Sequence, residues 1–195
     1  MTSDTIKTGT WRIGISGSHC SGKSTLAKAL EDALRGEGAN VKSLAEPIDE
    51  LRPILNQTKP ALSSDHIYYL LLGEHLRRLE KTADKYLIYD RTLLDYAAYL
   101  KVEARKNNSF KKAVDELLPW YFSHFDFIFF LPVEFPQELN GKRPSSEQHR
   151  SDIEDGIVKI ARDFDIDLIE LSGSIEQRIH LALQKIEALT RDCIH

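Results

Sequence analysis

A chain of 195 residues with a formal net charge of −4 is long enough for one well-filled core and short for two. With 42% hydrophobic and 29% charged residues, the composition is that of a soluble globular protein, and the mild acidic balance argues against one that coats DNA or a membrane, which needs a basic face. Two cysteines, Cys20 and Cys193, lack metal-ligand spacing and make no disulfide framework, and no segment has the apolar length of a signal peptide or membrane span, so a cytoplasmic protein is expected.

No repeat, low-complexity tract or Pro/Gly/Ser linker divides the sequence, so a single domain over residues 1–195 is expected. Trp11 to Ser16 (WRIGIS) is a short β-prone run, followed by a helix from about Gly22 that Gly36 and Gly38 stop. Val41 to Glu46 reads as a second strand, and the stretch after it is broken at Pro47, Pro53 and Pro60. Apolar residues at Ile67, Leu70, Leu71 and Leu76 carry a helical rhythm, with Ser63 or Ser64 as its N-cap. Tyr86 to Asp90 (YLIYD) is a buried-type strand, with helices near Leu93 to Lys106 and Phe110 to Ser123. Phe125 to Leu131 is the fourth strand, and a polar, basic segment from Pro136 to Arg150 leads into another helix. DIDLIEL and the helix after SGS complete the pattern. Strand and helix alternating in this way predict an α/β fold around a mostly parallel sheet, its five apolar strands covered on both faces. Ligands of such sheets gather at the carboxyl ends of the strands, where Gly17, Glu46, Asp90 and the segments after Leu131 and Leu171 are expected to converge.

GSHCSGKST, Gly17 to Thr25, stands between the first strand and the first helix and matches G-x-x-x-x-G-K-[ST]. Gly17 and Gly22 let the backbone curl so that N–H groups of Ser18, His19, Cys20, Ser21 and the residues through Thr25 surround an anion. The helix that follows adds its positive end. Lys23 supplies a flexible charge for the β and γ phosphates, and the Ser24 hydroxyl can ligate Mg²⁺. Cys20 reads as a small filler whose backbone N–H matters, or as a thiol activated by the helix end.

Asp90 ends an apolar strand, where a nucleotide-binding fold puts the carboxylate of its Mg²⁺ shell; a surface aspartate is the plainer reading. Arg91 follows where motor ATPases tend to place a water-activating glutamate. An arginine is no such base, but it can clamp an acceptor's phosphate or stabilise transferred charge. The D-x-x-G and N-K-x-D segments of a GTPase switch are missing, so transfer is expected rather than switching. Glu46, beside Pro47, is the candidate to take the proton of an attacking hydroxyl, or a solvated strand-end glutamate. Arg143 and Arg150 lie in NGKRPSSEQHR; a lid over about residues 133–150 would carry them onto a triphosphate and exclude water, unless the segment is a solvated basic loop. Gly173 and Ser174 offer backbone groups to a purine edge or form an ordinary helix cap. Tyr68, Tyr69, His66, Arg77 and Tyr96 flank an acceptor pocket or fill the core.

GSHCSGKST, YDRTLLDYAAYL and GKRPSSEQHRSDIEDGI together resemble the P-loop nucleoside and nucleotide kinases, most of all the AAA-type group that contains the ribosylnicotinamide kinase domain of bacterial NAD-biosynthesis proteins. A D-R-x-x-x-D-x-x-A-Y segment and an arginine lid before a helix recur in that group, and Asp90, Arg91, Asp95, Ala98, Tyr99 and Arg143 fit them. AEPIDELRP is similar to the E-P-V-E-x-W segment of deoxynucleoside kinases, whose glutamate activates the 5′-hydroxyl, a role that falls on Glu46 here. DRT stands where those enzymes carry E-R-S, and Leu51 replaces their aromatic residue. The resemblance implies a three-layer P-loop NTPase fold, a five-stranded parallel sheet in the order 2-3-1-4-5 and an arginine-bearing lid.

The expected activity is ATP- and Mg²⁺-dependent phosphoryl transfer to a small nucleoside or nucleotide. Lys23 and the loop hold the phosphates, and Ser24 and Asp90 organise Mg²⁺. Glu46 positions or deprotonates the acceptor, while Arg91, Arg143 and Arg150 neutralise charge. A monomer or homodimer with no extended nucleic acid and no membrane partner is expected. A P-loop ATPase or nucleotide-binding regulator without an acceptor is the alternative; a nucleic-acid 5′-end kinase lacks its basic surface.

Overall fold

A computed structural model describes residues 9–58, 64–102, 108–135 and 146–192. Among the described residues twelve elements alternate in the expected way: β1 (Trp11–Ser16), α1 (Lys23–Gly36), β2 (Val41–Leu44), α2 (Pro47–Thr58), α3 (Ser64–Arg77), β3 (Tyr86–Asp90), α4 (Leu93–Val102), α5 (Asn108–Phe122), β4 (Phe127–Phe130), α6 (Glu147–Asp163), β5 (Ile169–Glu170) and α7 (Ile175–Asp192). The strands form one parallel sheet in the order β2-β3-β1-β4-β5. β1 is central, with Ile13 opposite Ile88 of β3 on one side and Phe127 of β4 on the other. This is the P-loop kinase fold.

Strand pleating divides the core into two layers. Phe127 and Phe129 of β4 join Ile13, Ile15, Leu26, Leu30 and Ile186 beneath α1 and α7. Ile128 and Phe130, pointing the other way, join Leu94, Leu118, Ile153 and Ile157 beneath α4, α5 and α6. A Cβ on Gly156 would stand 3.3 Å from Ala98 Cβ, so small residues set how closely α6 lies on α4. In β1 a Cβ on Gly14 would stand 2.7 Å from Thr92 Cγ2, which makes glycine the only comfortable residue there.

Two details depart from the expected elements. β2 stops at Leu44, leaving Glu46 in the turn before α2, where its carbonyl accepts the Asp49 N–H. Pro47 and Pro53 do not break the following stretch, and Pro60 lies outside the described residues. Pro47 opens α2 at a position whose missing N–H has no helical partner anyway. Pro53 lies within the helix, and Leu51 and Leu55 on either side of it are buried against Leu71 and Tyr96; that burial outweighs a penalty of about 3 kcal/mol for an interior proline. Among the described residues no helix is long and apolar enough to cross a membrane.

Candidate active site

The loop from β1 to α1 is built on two backbone turns in the left-handed region, at Cys20 (φ 57°) and Gly22 (φ 95°). It wraps Lys23, whose buried Nζ donates to the carbonyls of Gly17 (2.8 Å) and Ser18 (2.6 Å). Burial, and then the charge of Arg91, lowers the Lys23 pKa to about 8. Three side chains from distant elements hold the loop. Asp95 of α4 accepts the Gly17 N–H at 3.0 Å, Arg150 of α6 donates to the Cys20 carbonyl at 3.3 Å, and Arg178 of α7 donates to the Ser21 carbonyl at 2.8 Å. In a trans peptide the N–H opposes the C=O, so each guanidinium turns the next N–H, of Ser21 or Gly22, the other way. Inward-facing N–H groups are what an anion cradle requires.

Ser24 and Asp90 meet as the motif predicts. The Ser24 hydroxyl is exposed and hydrogen-bonds to the Asp90 carboxylate at the end of β3. Burial raises the Asp90 pKa, opposed by Ser24, Lys23 and Arg91. One hydroxyl and one carboxylate side by side are hard oxygen donors of the kind Mg²⁺ takes from a protein, with water and phosphate completing its shell. Among the described residues no group of three or more His, Cys, Asp or Glu could hold a metal.

Arg91 (φ 87°) is the centre of the remaining charges. Its Nε lies 3.0 Å from Glu46 Oε1, and its Nη1 3.9 Å from Asp95 Oδ1. The guanidinium also stands over the rings of Tyr96 and Tyr99, at 5.9 and 5.6 Å from their centroids. Burial opposes the charge of Arg91, yet Glu46 and Asp95 keep its pKa above the ordinary arginine value. Asp95, with no exposed surface, also accepts the N–H of Thr92 at 3.1 Å. Behind Glu46, Arg78 donates to the Ala45 carbonyl at 2.6 Å and pairs with Glu50 and Glu74, which steadies the turn that carries the candidate base. His19 lies 3.0 Å from the Tyr99 hydroxyl, its pKa lowered to about 4 by burial and by Arg150.

Arg150 stands elsewhere than a lid over the triphosphate suggests, and Gly173 and Ser174 form the helix cap that was their alternative. Arg150 does not reach out over the loop. It is fully buried, and its guanidinium donates to the Phe135 carbonyl and the Glu147 carboxylate as well as to Cys20, so it ties both ends of the expected lid to the phosphate loop. The N–H groups of Gly173 and Ser174 are both engaged within the protein, by Glu134 Oε2 (2.8 Å) and Gln177 Oε1 (2.8 Å), in a turn that caps α7. Arg143 lies outside the described residues, as do Cys193 and the middle of the lid.

Asp95 fits the D-R-x-x-x-D-x-x-A-Y segment without a role assigned to it, and Arg178 and Arg78 are not among the candidate residues of the sequence. The i, i+4 spacing of Arg91 and Asp95 was a signal for the first. An arginine on the polar face of a helix, as Arg178 is, or in the turn after one, as Arg78 is, carries no signal of its own, so neither could have been found locally.

Residues 12–178 match the family described as AAA domain. The chain belongs to that family. No curated protein matches the sequence. Among solved structures, this AAA domain protein is similar to deoxyadenosine kinase from M. mycoides with dCMP and dCDP bound, at 16% identity and TM-score 0.59 over 91% of this chain and 99% of that one. It is similar to the NadR protein in complex with NR, at 18% identity and TM-score 0.67, over 93% of this chain and 52% of that one. Thymidylate kinase from Ehrlichia chaffeensis is similar at 18% identity and TM-score 0.62, over 92% of this chain and 99% of that one. The AAA domain chain thus spans about half of NadR and nearly the whole length of the two kinases. At these identities the likeness is one of fold.

Proposed function

We propose that this AAA domain protein transfers the γ-phosphoryl group of ATP to a small nucleoside or nucleotide. The observation that carries the reading is the Glu46–Arg91 pair beside the loop: a carboxylate at 3.0 Å from a buried guanidinium, with Lys23 and Asp90 as neighbours. A hydrolase needs a group to orient water, whereas this arrangement presents an anchored base to an acceptor hydroxyl and a cation to the moving charge. The similar structures include a deoxyadenosine kinase with bound dATP and the NadR protein with NAD and AMP-PNP, which supports ATP as donor.

In this mechanism the loop N–H groups and Lys23 grip the β and γ phosphates. Lys23 leaves the Gly17 and Ser18 carbonyls to do so. Ser24 and Asp90 would hold Mg²⁺, which would offset the charge of the phosphate oxygens. Glu46 orients the acceptor hydroxyl and takes its proton, while Arg91 faces the charge that develops in transfer. Arg150 keeps the loop in shape, and Arg143 is assigned to the lid over the triphosphate. Residues 1–195 act as one unit, with about residues 133–150 as that lid, in the cytoplasm and without a nucleic-acid or membrane partner.

The test is ATP consumption with and without a panel of nucleosides, nucleoside monophosphates and ribosylnicotinamide. Formation of a phosphorylated acceptor is expected for one class. Hydrolysis that no acceptor accelerates would replace the kinase reading with an ATPase.

A further inference from the structure

Arg178 lies in the first turn of α7, and its side chain is 1% exposed. The apolar face of α7 docks without it: Ala182 and Ile186 are buried in one layer with Leu26 and Leu30 of α1. A buried ion pair seldom stabilises a fold more than apolar residues of similar volume in its place. Packing alone does not account for a guanidinium here.

Its two Nη groups go separate ways. Nη1 donates to the Ser21 carbonyl of the phosphate loop at 2.8 Å. Nη2 donates to Glu134 Oε2 at 2.6 Å and to the Pro132 carbonyl at 3.4 Å, both just beyond β4. Nε has no hydrogen-bond partner among the described residues, so the Nη groups carry the whole contact. Glu134 Oε2 also accepts the Gly173 N–H at 2.8 Å, in the turn before α7. Arg178, and then the Gly173 N–H, hold the Glu134 carboxyl below its ordinary range, against the effect of burial. The Phe135 ring covers the guanidinium, its centroid 5.1 Å away. One carboxylate thus fixes the start of α7 to the end of β4, and with it the direction in which Arg178 reaches the loop.

The Ser21–Gly22 peptide passes that direction on. A cation holds its carbonyl, so its N–H faces away from Arg178. A carbonyl that accepts from a cation also polarises its own peptide, which makes the N–H a stronger donor to an anion. Gly22 supplies the turn with φ 95°, and a Cβ there would stand 3.7 Å from Nη1.

We infer that Glu134 and Arg178 are a positioning pair for a polyphosphate: Glu134 aims the guanidinium, and the guanidinium turns the Gly22 N–H toward a phosphate oxygen. Neither side chain touches the phosphate. Glu134 stands one guanidinium away from an anion site, yet it raises affinity for the anion, the opposite of what its charge alone would do. The inference rests on the loop's grip on phosphate, which a kinase and an ATPase share, and not on an acceptor.

Magnesium tripolyphosphate, titrated calorimetrically into the full chain, reads the loop with no base, sugar or acceptor involved. Glu134→Gln should weaken its binding by about three- to tenfold, and Arg178→Met by about tenfold or more. Arg178→Lys should recover only part of that loss, because an ammonium cannot meet Ser21 and Glu134 as a fork does. In turnover, Glu134→Gln should raise the KM for ATP by the same factor and leave kcat within about twofold. Unchanged tripolyphosphate binding in Glu134→Gln overturns the inference and makes Glu134 a tether of α7 alone. Tighter binding overturns it too, and makes Glu134 only a negative charge beside the site. Full rescue by Arg178→Lys, or an unsubstituted protein that binds no tripolyphosphate, overturns it as well. Glu134 is a third exposed, so its variant folds even if Arg178→Met does not. No turnover with any acceptor overturns the kinase reading instead, and the titration still decides the pair.

Discussion

Glu46 and Arg91 form an ion pair, Oε1 to Nε at 3.0 Å, that joins the turn after β2 to the residue after β3. Each had a separate role in the sequence reading, base and charge clamp. Their contact makes them one device, in which the arginine holds the carboxylate in place. Glu46→Gln retains the shape and removes the base. Its kcat should fall by about 10²- to 10⁴-fold with little change in ATP affinity, measured by steady-state kinetics beside direct ATP binding. An unchanged kcat would remove Glu46 from proton transfer.

Arg91 bears on stability as well. Arg91→Met leaves Glu46 and the fully buried Asp95 without their shared cation. Breaking a buried charge network from one side costs about 3–5 kcal/mol, and urea unfolding should show a loss of that order. A loss within the range of a surface pair would mean that water solvates the cluster.

Lys23 predicts a pH dependence in two parts. Its pKa in the free protein is about 8, below the ordinary 10.5. As pH rises through about 8 the ammonium is lost, so ATP affinity should weaken above that pH, by up to about tenfold per unit. For stability the sign is opposite. Between pH 8 and 10.5 the unfolded chain holds the proton that the folded chain has released, so this group raises stability as pH rises through that window. Lys23→Met should flatten both dependences, read by ATP titrations and by unfolding midpoints at several pH values.

Asp95 accepts N–H groups from Gly17 and Thr92 on its two oxygens. In Asp95→Asn one of those positions becomes an amide donor facing another donor. The variant should lose about 1–3 kcal/mol and bind ATP more weakly, since the first peptide of the loop is no longer held. Normal ATP affinity in a destabilised variant would show that Asp95 supports the fold and not the loop.

Gly14→Ala places a Cβ 2.7 Å from Thr92 Cγ2 and 3.2 Å from Phe125 Cδ1. Overpacking of this kind costs about 1–3 kcal/mol. Adding Thr92→Ser removes the offending methyl while keeping a hydroxyl for Ser16 Oγ, now 2.7 Å away. The double variant should recover part of the loss in thermal unfolding; no recovery would assign the strain to Phe125.

Some elements were legible because their signal is local. The apolar runs of β1 and β3 and the Gly36–Gly38 stop of α1 appear where the sequence reading put them. Pro53 was misleading because local propensity forbids what burial of Leu51 and Leu55 permits. The place of Arg150 before a helix was legible, but its direction was not. An arginine in a polar segment reads as exposed until Phe135, Glu147 and Cys20 are seen to surround it.

By itself the sequence determined that this protein has a strand, a loop of the G-x-x-x-x-G-K-[ST] pattern and a helix in immediate succession, with Lys23 and Ser24 where the helix starts and Asp90 at the end of a neighbouring strand. Those requirements are met by neighbours in the chain or by the ends of adjacent parallel strands, so spacing is enough. Only the tertiary structure decided which charges meet. Arg150 and Arg178 reach loop carbonyls 130 and 157 positions away, and the Glu46 carboxylate meets the Arg91 guanidinium because β2 and β3 lie side by side. A guanidinium or an imidazole takes its partner from whatever folding brings within about 3 Å, and no pattern of nearby residues records that.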